Sequence, residues 1–423
     1  MAEASYALGI DFGTSGARAT VINQSDEVVA EAQTAYDIHL PESWREALFE
    51  LIANIPFKTR DSLGAIAIDG TSSTCLICDD LNNPLLPPLL YNDSRANGEM
   101  EQIKSIVPQG HIAISATSSF AKLLWFSLQP AFSKAVVFCH QADWLTSLLT
   151  GLPGITDYHN ALKLGYDTES MCYPGWLAGL PFAHLLPRVV TPGTSLGPIN
   201  PTISKHLALP AACTIHAGTT DSIAAFMASG AAKPGDAVTS LGSTLVLKLL
   251  STTHVEAAEY GVYSHKFGNL WLAGGASNTG GAVFRQYFTD EEITQLSLQM
   301  NPHQSTGLDY YPLVKPGERF PVNDPNLNPW LEPRPQNNTL FLQGLFESIA
   351  KVEANGYRLL ERMGATPLKR VFSAGGGAKN NAWTTIRKNY LKIQILPSIH
   401  IDASFGTARL AAKGEQLLGT IGS

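Results

Sequence analysis

The chain has 423 residues, of which 44% are hydrophobic and 15% charged, and its formal net charge is −7 at pH 7. This length predicts two to three well-buried domains, and the acidic balance argues against nucleic acid as a main partner. No apolar stretch is long enough to cross a bilayer. The first predicted strand begins at about Tyr6, which leaves no room for a signal or transit peptide. The cytoplasm is therefore the expected compartment.

The five cysteines indicate a reduced compartment, because their number is odd and their spacing forms no disulfide framework. Cys75 and Cys78 form a C-x-x-C pair, a spacing found in zinc and redox sites. They lie in a strand-like run, however, where residues three apart face opposite sides of a sheet. We interpret both as buried structural thiols and expect no metal there.

The first half of the chain predicts strands that end in polar turns. Strands are expected at about 6–12, 17–23, 28–34 and 63–68, and a helix at about 43–54. Asp11 ends the first strand and is followed by a Gly-Thr-Ser-Gly turn, which places a carboxylate beside backbone amides able to hold phosphate. That turn leads into a strand and not a helix, so a Rossmann phosphate loop is disfavoured.

A second carboxylate of this kind follows later in the chain. A strand at 135–139 and a helix at 141–150, stopped by Gly151, precede a segment rich in glycine and proline that ends near residue 210. The next strand, at about 213–217, leads through Gly-Thr-Thr to Asp221 at the start of a predicted helix. We expect a domain boundary at this point, with one domain over 1–210 and another over 211–423.

The second half repeats the first strand–turn–strand pattern over residues 235–248. In this repeat, Gly242-Ser243-Thr244 aligns with Gly13-Thr14-Ser15, and Ser240 aligns with Asp11. Both turns have the size of a phosphate site, but only the first carries an acid. A gene duplication and a chance similarity of two short hairpins are equally compatible with this pattern alone.

The C-terminal part contains one strong helix and one glycine-rich loop. Residues 301–338 are rich in proline and polar residues and are expected to form a long surface segment. Apolar residues from 339 to 363 follow a three-four period, and Gly364 stands where a helix C-cap is expected. A strand at 371–374 then leads into Gly375-Gly-Gly-Ala-Lys-Asn-Asn381, where the missing side chains allow close approach of a flat or phosphorylated ligand.

These motifs together resemble the FGGY carbohydrate kinases over nearly the whole chain and in the family's order. Beyond the turns and loops described above, the matching segments are Tyr91-Asn-Asp-Ser-Arg95, Ala121-Lys-Leu-Leu-Trp125, 143–151, 156–161, 193–197, 217–221, 233–244 and 315–321. Each segment alone is weak, but together they favour the duplication. The resemblance implies an α/β fold with two duplicated actin-like ATPase (ribonuclease H-like) domains flanking a cleft. The first domain would bind the sugar and form the Mg²⁺ and phosphate side of the site, and the second would bind the nucleotide.

The resemblance implies an enzyme that uses ATP and Mg²⁺ to phosphorylate a hydroxyl of a sugar or polyol. This compact, short chain with its Asp69-Gly-Thr-Ser-Ser73 segment is similar to the pentulose kinases of cyanobacteria and plants, which makes D-ribulose the expected acceptor. D-xylulose or another ketose or polyol is an alternative, and so is a nucleotide-binding regulator that has lost catalysis. The implied partners are the sugar and ATP, without nucleic acid or membrane, in a monomer or homodimer.

The resemblance also implies roles for individual residues. Asp221 matches the family's catalytic aspartate, which accepts the proton of the hydroxyl, and Asp11 matches the acid that holds Mg²⁺. The expected sugar-site residues are Asp11, Ser72, Ser73, Asp93, Arg95 and Asp221. The expected nucleotide-site residues are Thr14, Ser15, Gly242, Ser243, Thr244, Gly281, Gly376, Gly377, Asn380, Asn381 and Trp383.

Two of these interpretations stay open on the sequence alone. Asp93 and Arg95 fit a structural ion pair as well as a sugar site, and Trp383 fits a core residue as well as a base-stacking one. Glu318 and Arg319 are expected to be structural, at a loop anchor.

Overall fold

The computed structural model describes residues 5–420, apart from the side chain of Thr420. The strands are β1 (Tyr6–Gly13), β2 (Gly16–Ile22), β3 (Val28–Thr34), β4 (Leu63–Gly70), β5 (Cys75–Cys78), β6 (Val137–His140), β7 (Ile155–Asp157), β8 (Arg188–Val190), β9 (Ser195–Pro198), β10 (Thr214–His216), β11 (Thr219–Thr220), β12 (Asp236–Leu241), β13 (Leu245–Ser251), β14 (Tyr263–Phe267), β15 (Leu270–Ser277), β16 (Arg370–Ala374) and β17 (Gln394–Pro397).

The α-helices are α1 (Pro41–Asn54), α2 (Phe57–Arg60), α3 (Met100–Ile106), α4 (Ser119–Ser127), α5 (Gln141–Thr150), α6 (Tyr158–Ala161), α7 (Gly175–Ala178), α8 (Pro201–Leu207), α9 (Asp221–Ala228), α10 (Gly281–Phe284), α11 (Asp290–Leu298), α12 (Asn338–Arg362), α13 (Asn381–Leu391), α14 (Ala403–Lys413) and α15 (Gln416–Thr420). The predicted strands and helices of the sequence are all found, with end points shifted by only a few residues.

The chain forms two compact units. The first ends at Ala228 and also takes up Asp402–Thr420, and the second is Ser229–Ile401. This division differs from the boundary expected at residue 210. The reason is that β10 and β11 lie beyond that point and both pair in parallel with β4 of the first sheet.

The first unit is built on a mixed sheet with the strand order β3-β2-β1-β4-β10-β9, and β11 also pairs with β4. The hairpins β1–β2 and β2–β3 are antiparallel, whereas β1–β4 and β4–β10 are parallel. Every interior residue of β1 is buried, which is typical of a central strand with both faces covered.

The second unit repeats this arrangement. Its sheet has the order β14-β15-β13-β12-β16-β17. The pairs β12–β13 and β13–β15 are antiparallel, and the pairs β12–β16 and β16–β17 are parallel. The run β15-β13-β12-β16-β17 matches β3-β2-β1-β4-β10 of the first unit in order and in strand direction, and β14 is an additional edge strand. The structure therefore confirms the duplication that the two hairpins suggested.

The cores explain the C-x-x-C pair. Cys75 packs in a cluster built from residues 75–185 of the first unit, and Cys78 packs in the cluster around the main sheet. Both cysteines are fully buried and reduced, with 3.9 Å between the Sγ atoms of Cys78 and Cys139. The prediction that Cys75 and Cys78 face opposite sides as structural thiols is therefore confirmed.

Helix α12 ends at the glycine that its sequence predicts, and it also has an N-terminal cap. The side chain of Asn337 accepts a hydrogen bond from the N–H of Leu340, and Gly364 follows the helix with φ +98°. The apolar face of the helix packs in the core of the second unit. No helix within residues 5–420 is long and apolar enough to cross a membrane.

Helix α14 returns the chain to the first unit and packs against α9 at a glycine. A Cβ atom on Gly406 would lie 1.9 Å from the carbonyl oxygen of Ala224, so the two helix backbones are in direct contact. We predict that Gly406→Ala lowers the free energy of unfolding by about 1–3 kcal/mol, because the helices must separate. Urea unfolding measures this change.

Gly419→Ala is the matched control for this substitution. Gly419 is an exposed glycine in α15 whose Cβ would meet nothing within 4 Å. Alanine there should leave the free energy of unfolding unchanged or raise it by up to about 1 kcal/mol. Equal effects of the two substitutions would contradict the packing argument.

Candidate active site

Two carboxyl groups lie side by side at the ends of adjacent parallel strands. Asp11 of β1 pairs with Asp69 of β4, and the two residues are 5% and 0% exposed. Burial raises the pKa of Asp11 to about 6; a hydrogen bond with Asp69 acts against this rise, and the charge of Asp221 adds to it. Burial, followed by the charge of Asp11, raises the pKa of Asp69 well above its usual range. The pair therefore has a negative charge that a proton or a cation would relieve.

Helix α14 covers this acid pair. The hydroxyl of Thr407 donates a hydrogen bond to Asp69 Oδ2, and the helix can come this close because a Cβ on Gly9 would lie 2.1 Å from the backbone nitrogen of Ala408. Asp11 Oδ1 and Asp69 Oδ1 are buried, and neither accepts a hydrogen bond from an N–H or hydroxyl group of the described residues. A shared proton or a bound cation satisfies oxygens of this kind.

Asp221 stands at the same end of the sheet. Strand β11 pairs in parallel with Asp69–Gly70 at the end of β4, and α9 begins at the following residue, Asp221. Asp221 is half-buried, and its Oδ1 accepts a hydrogen bond from the N–H of Ser222 at 2.6 Å. Its charge raises the pKa of both Asp11 and Asp69. The structure thus brings the two predicted acids, Asp11 and Asp221, to one edge of the sheet.

The turn that carries Thr14 and Ser15 is fixed at its base and exposed at its tip. Gly13 pairs with Gly16, and the hydroxyl of Tyr36 donates to the carbonyl of Gly13 at 2.7 Å. Burial raises the pKa of Tyr36 to about 12, so its hydroxyl remains a donor at neutral pH. The side chains of Thr14 and Ser15 are exposed and accessible to a ligand.

The loop after β4 holds the two predicted serines in different environments. Ser73 is 1% exposed and has φ +64°, and its Oγ is buried without a hydrogen-bond partner among the described residues. The ammonium group of Lys122 donates to the carbonyls of Ser73 at 2.6 Å and Leu90 at 2.7 Å, and burial lowers the pKa of Lys122 to about 8. Ser72 is half-buried. Lys122 thus fixes the loop that presents Ser72.

Asp93 and Arg95 form an ion pair with 2.8 Å between Arg95 Nη2 and Asp93 Oδ2. The guanidinium group also lies 5.1 Å from the ring centre of Trp125. Arg95 is exposed and Asp93 is half-buried. The structural ion pair anticipated as one of the two alternatives is therefore present, and it leaves the guanidinium accessible.

The second unit contains a cavity of about 890 Å³, which is within the range of small-molecule sites. The predicted residues Gly242, Ser243, Gly281, Gly376, Gly377, Asn380, Asn381 and Trp383 all line it. Thr244 lies outside this lining and closes the turn, because its carbonyl accepts a hydrogen bond from the N–H of Gly242 at 3.2 Å.

Close backbone contacts shape the cavity. Gly280 has φ +150°, and a Cβ there would lie 2.6 Å from the carbonyl oxygen of Ser243. The loop after β15 therefore packs directly on the turn between β12 and β13. On the other side, a Cβ on Gly377 would lie 2.4 Å from the ring of Trp383.

Trp383 belongs to the core and to the cavity wall. It is 2% exposed, its ring stacks on Phe346 at 5.1 Å, and Phe284 meets it edge-on at 5.2 Å. Asn380 caps α13 by accepting from the N–H of Trp383, and its amide donates to Ser297 Oγ at 2.8 Å. The core interpretation of Trp383 is thus supported, while its indole edge lines the cavity.

Two parts of the site were missing from the predicted residues. Asp69 was overlooked, although the sequence carries the signal: like Asp11, it ends an apolar strand and precedes a Gly-Thr-Ser turn. Helix α11 supplies a cavity wall through Ile293, Ser297 and Leu298. No local motif marks these three residues, because only the packing of α11 brings them to the cavity.

Comparison with known proteins gives matches along nearly the whole chain. Residues 6–228 match the model of the FGGY family of carbohydrate kinases, N-terminal domain, and residues 237–415 match the model of its C-terminal domain. A xylulose kinase of Staphylococcus xylosus is 24% identical over 98% of this chain and 92% of its own. A ribulokinase of Shouchella clausii is 25% identical over 57% of this chain and 52% of its own.

The fold has close counterparts among solved structures. The crystal structure of a "xyloylose kinase" from Brucella ovis superposes with a TM-score of 0.88 at 21% identity, and the match covers 99% of this chain and 92% of that one. At this identity the likeness establishes the fold alone.

The buried acid pair should make the stability of the protein depend on pH. In the native state Asp69 holds its proton above the pH at which the unfolded chain releases it, so the contribution of Asp69 to stability falls as the pH rises from about 4. Asn does not titrate. The free energy of unfolding of Asp69→Asn minus that of the wild type should therefore increase by up to about 1.4 kcal/mol per pH unit above pH 4. Urea unfolding at pH 4, 5, 6 and 7 tests this, and a difference that stays constant with pH would contradict it.

Proposed function

Because the chain belongs to the FGGY family of carbohydrate kinases, we propose that it transfers the γ-phosphoryl group of ATP to a terminal hydroxyl of a ketopentose, with D-ribulose preferred. The proposal rests above all on the meeting of Asp11, Asp69 and Asp221 at one sheet edge of the first unit. The glycine-lined cavity of the second unit complements it as the nucleotide site.

The cavity fits a nucleotide in size and in the chemistry of its lining. Gly376, Gly377 and Asn380 would lie against the adenosine, where backbone without side chains leaves room for a flat base. Ser243 would donate to the phosphates from its N–H and hydroxyl. Gly242 and Gly281, whose N–H groups are bonded within the turn and loop, would let the phosphates approach closely because they have no side chains.

The acid pair fits Mg²⁺. Asp11 and Asp69 each hold a buried oxygen without a hydrogen-bond donor, and Mg²⁺ needs only one or two protein carboxylates beside water and phosphate oxygens. No group of three or more His, Cys, Asp and Glu side chains within residues 5–420 could hold a metal ion, so a site made wholly of protein ligands is absent there. Asp11 would hold Mg²⁺, which neutralises charge on the transferring phosphoryl group.

Asp221 would act on the acceptor. It is half-buried, so a hydroxyl can approach its carboxylate, and the N–H of Ser222 donates to its Oδ1 at 2.6 Å. A carboxylate in this position orients the hydroxyl and takes its proton as the new O–P bond forms. Ser72, Ser73, Asp93 and Arg95 remain the proposed contacts to the rest of the sugar.

D-xylulose is the second candidate acceptor, because two relatives that match 98% and 97% of the chain are named xylulose kinases. D-ribulose is preferred because the short chain with Asp69-Gly-Thr-Ser-Ser73 resembles the pentulose kinases of cyanobacteria and plants. A polar site of this kind can separate two epimers strongly, since a misplaced hydroxyl leaves buried groups unpaired.

We predict that Asp221→Ala lowers kcat by about two to four orders of magnitude and leaves the affinity for ATP unchanged, because only acceptor chemistry is lost. ADP release measures turnover, and calorimetry measures ATP binding. Asp61→Ala, which removes an exposed acid of the same unit, is the control and should behave as wild type. More than about a tenth of wild-type turnover at saturating sugar would rule out Asp221 as the base.

A sugar panel should give the highest kcat/KM for D-ribulose, followed by D-xylulose, with gluconate and glycerol far lower. All sugars are compared at matched concentrations by ADP release. A clear preference for D-xylulose would establish the second candidate instead. The non-catalytic alternative predicts ATP binding without sugar-dependent ADP release for any member of the panel.

A further inference from the structure

A buried carboxylate of the second unit lies outside all the chemistry described so far. Glu318 belongs to the proline-rich segment 301–338 and is only 2% exposed. Most of a carboxylate's hydration is lost at such a position, so its hydrogen bonds must come from the protein. The identity of those bonds indicates what the side chain does.

Four neutral groups donate to Glu318. Its Oε1 accepts from the backbone N–H of Asn278 at 2.6 Å and of Arg319 at 2.8 Å. Its Oε2 accepts from the hydroxyls of Ser277 at 2.6 Å and Tyr311 at 3.0 Å. Burial, followed by the charge of Glu318, raises the pKa of Tyr311, which keeps that hydroxyl a donor. A second connection runs from the amide of Asn278 to the carbonyl of Gly317 at 2.9 Å.

These bonds fasten the proline-rich segment to the end of β15. Ser277 is the last residue of that strand, and its Oγ also accepts from the N–H of Thr279 at 3.1 Å. The carbonyl of Thr279 in turn accepts from the N–H of Leu245, the first residue of β13, at 2.8 Å. The carboxylate of Glu318 therefore fixes the start of the loop that contains Gly280 and Gly281.

That loop is bonded directly to the turn between β12 and β13. The N–H of Gly281 donates to the carbonyl of Gly242 at 2.9 Å, and the N–H of Ala282 donates to the carbonyl of Ser243 at 3.1 Å. Gly242, Ser243 and Gly281 line the cavity. Hydrogen bonds from Glu318 to Thr279, the covalent chain from Thr279 to Ala282, and hydrogen bonds from Gly281 and Ala282 thus join Glu318 to the part of the cavity proposed for the phosphates.

We propose that Glu318 is a positioning residue for the polyphosphate of the nucleotide. Its carboxylate holds the Gly280–Gly281 loop against the Gly242–Ser243 turn, so that both present their backbone to the same ligand. The inference rests on the proposed function, because it takes the cavity to be the nucleotide site. It explains the shape of that site by a residue of the proline-rich segment that does not itself line the cavity.

A positioning role of Glu318 and a merely structural role predict different effects on the binding of ATP, ADP and adenosine. Gly376, Gly377 and Asn380 are proposed to face the adenosine, and none of them bonds to Glu318 or its partners. Loss of the carboxylate should therefore weaken binding of ATP and ADP and leave binding of adenosine unchanged. General loss of stability would weaken all three alike.

Glutamine is the conservative variant at position 318. Its carbonyl can keep the two backbone N–H donors, and its amide can donate to the hydroxyls of Ser277 and Tyr311, which accept as well as donate. Glu318→Gln should thus bind ATP within about threefold of wild type. Glu318→Ala leaves the donors unpaired and should bind ATP at least tenfold more weakly.

Glu347 provides a matched control in the same unit. It is a buried carboxylate, 3% exposed, and accepts from the N–H and hydroxyl of Thr306, from Ser305 and from Gln343. It anchors the start of the same proline-rich segment, but these partners form no hydrogen bond to the Gly280–Gly281 loop or the Gly242–Ser243 turn. Glu347→Ala should lower the Tm as Glu318→Ala does, without changing the affinity for ATP.

The experiment is calorimetric titration of wild type and of the three variants with Mg-ATP, Mg-ADP and adenosine, together with Tm measurements. Weaker ATP and ADP binding by Glu318→Ala alone, with adenosine within twofold of wild type, supports the proposal. Equal losses for adenosine and ATP, or an equal loss in Glu347→Ala, would overturn it. If wild type binds none of the three ligands, the nucleotide site itself is wrong and the inference falls with it.

Ser277→Ala gives a second test should Glu318→Ala not fold. It removes one hydroxyl donor and keeps the carboxylate with its remaining partners. We expect ATP to bind about threefold more weakly to this variant and adenosine to bind as to wild type. Unchanged affinity for both ligands would contradict the proposal.

Discussion

The parallel pairing of a hairpin strand with the next strand of the sheet is the constraint on which both sites depend. Parallel strands end at the same edge, so residues far apart in sequence meet where two strands finish. In the first unit the pairing of β1 with β4 joins Asp11 to Asp69, and β11 adds Asp221 beside them. In the second unit the pairing of β12 with β16 brings the turn after Leu241 to the glycine loop after Ala374.

The two units use this edge for opposite electrostatic purposes. Where the first unit pairs Asp11 with Asp69, the second pairs Ser240 with Ala374. The first edge is therefore acidic, which suits a cation and a proton acceptor. The second pair carries no acid, which suits an anion. Duplication provided one scaffold, and substitutions at two equivalent positions account for the difference in charge.

Buried acids outside the acid pair are compensated by donors. Glu353 forms a buried ion pair with Arg387, at 2.7 Å between Oε2 and Nε, and its Oε1 also accepts from Thr239. Glu318 is satisfied by two N–H groups and two hydroxyls. The hydroxyl of Thr407 donates to Asp69, but within residues 5–420 each carboxyl group of the acid pair keeps a buried oxygen without a donor. Uncompensated charge thus marks the proposed site of chemistry, whereas compensated charge maintains its shape.

The sequence alone determined the features that depend on local patterns. Apolar runs followed by an acid located Asp11 and Asp221, and the apolar period and Gly364 defined helix α12, because these signals lie within a few residues of one another. Only the tertiary structure placed Asp69 beside Asp11, returned Asp402–Thr420 to the first unit, and brought α11 to the cavity. These features depend on strand register and on contacts between distant segments. No short stretch of sequence encodes such contacts, since their free energy arises only when the whole sheet and its helices have packed.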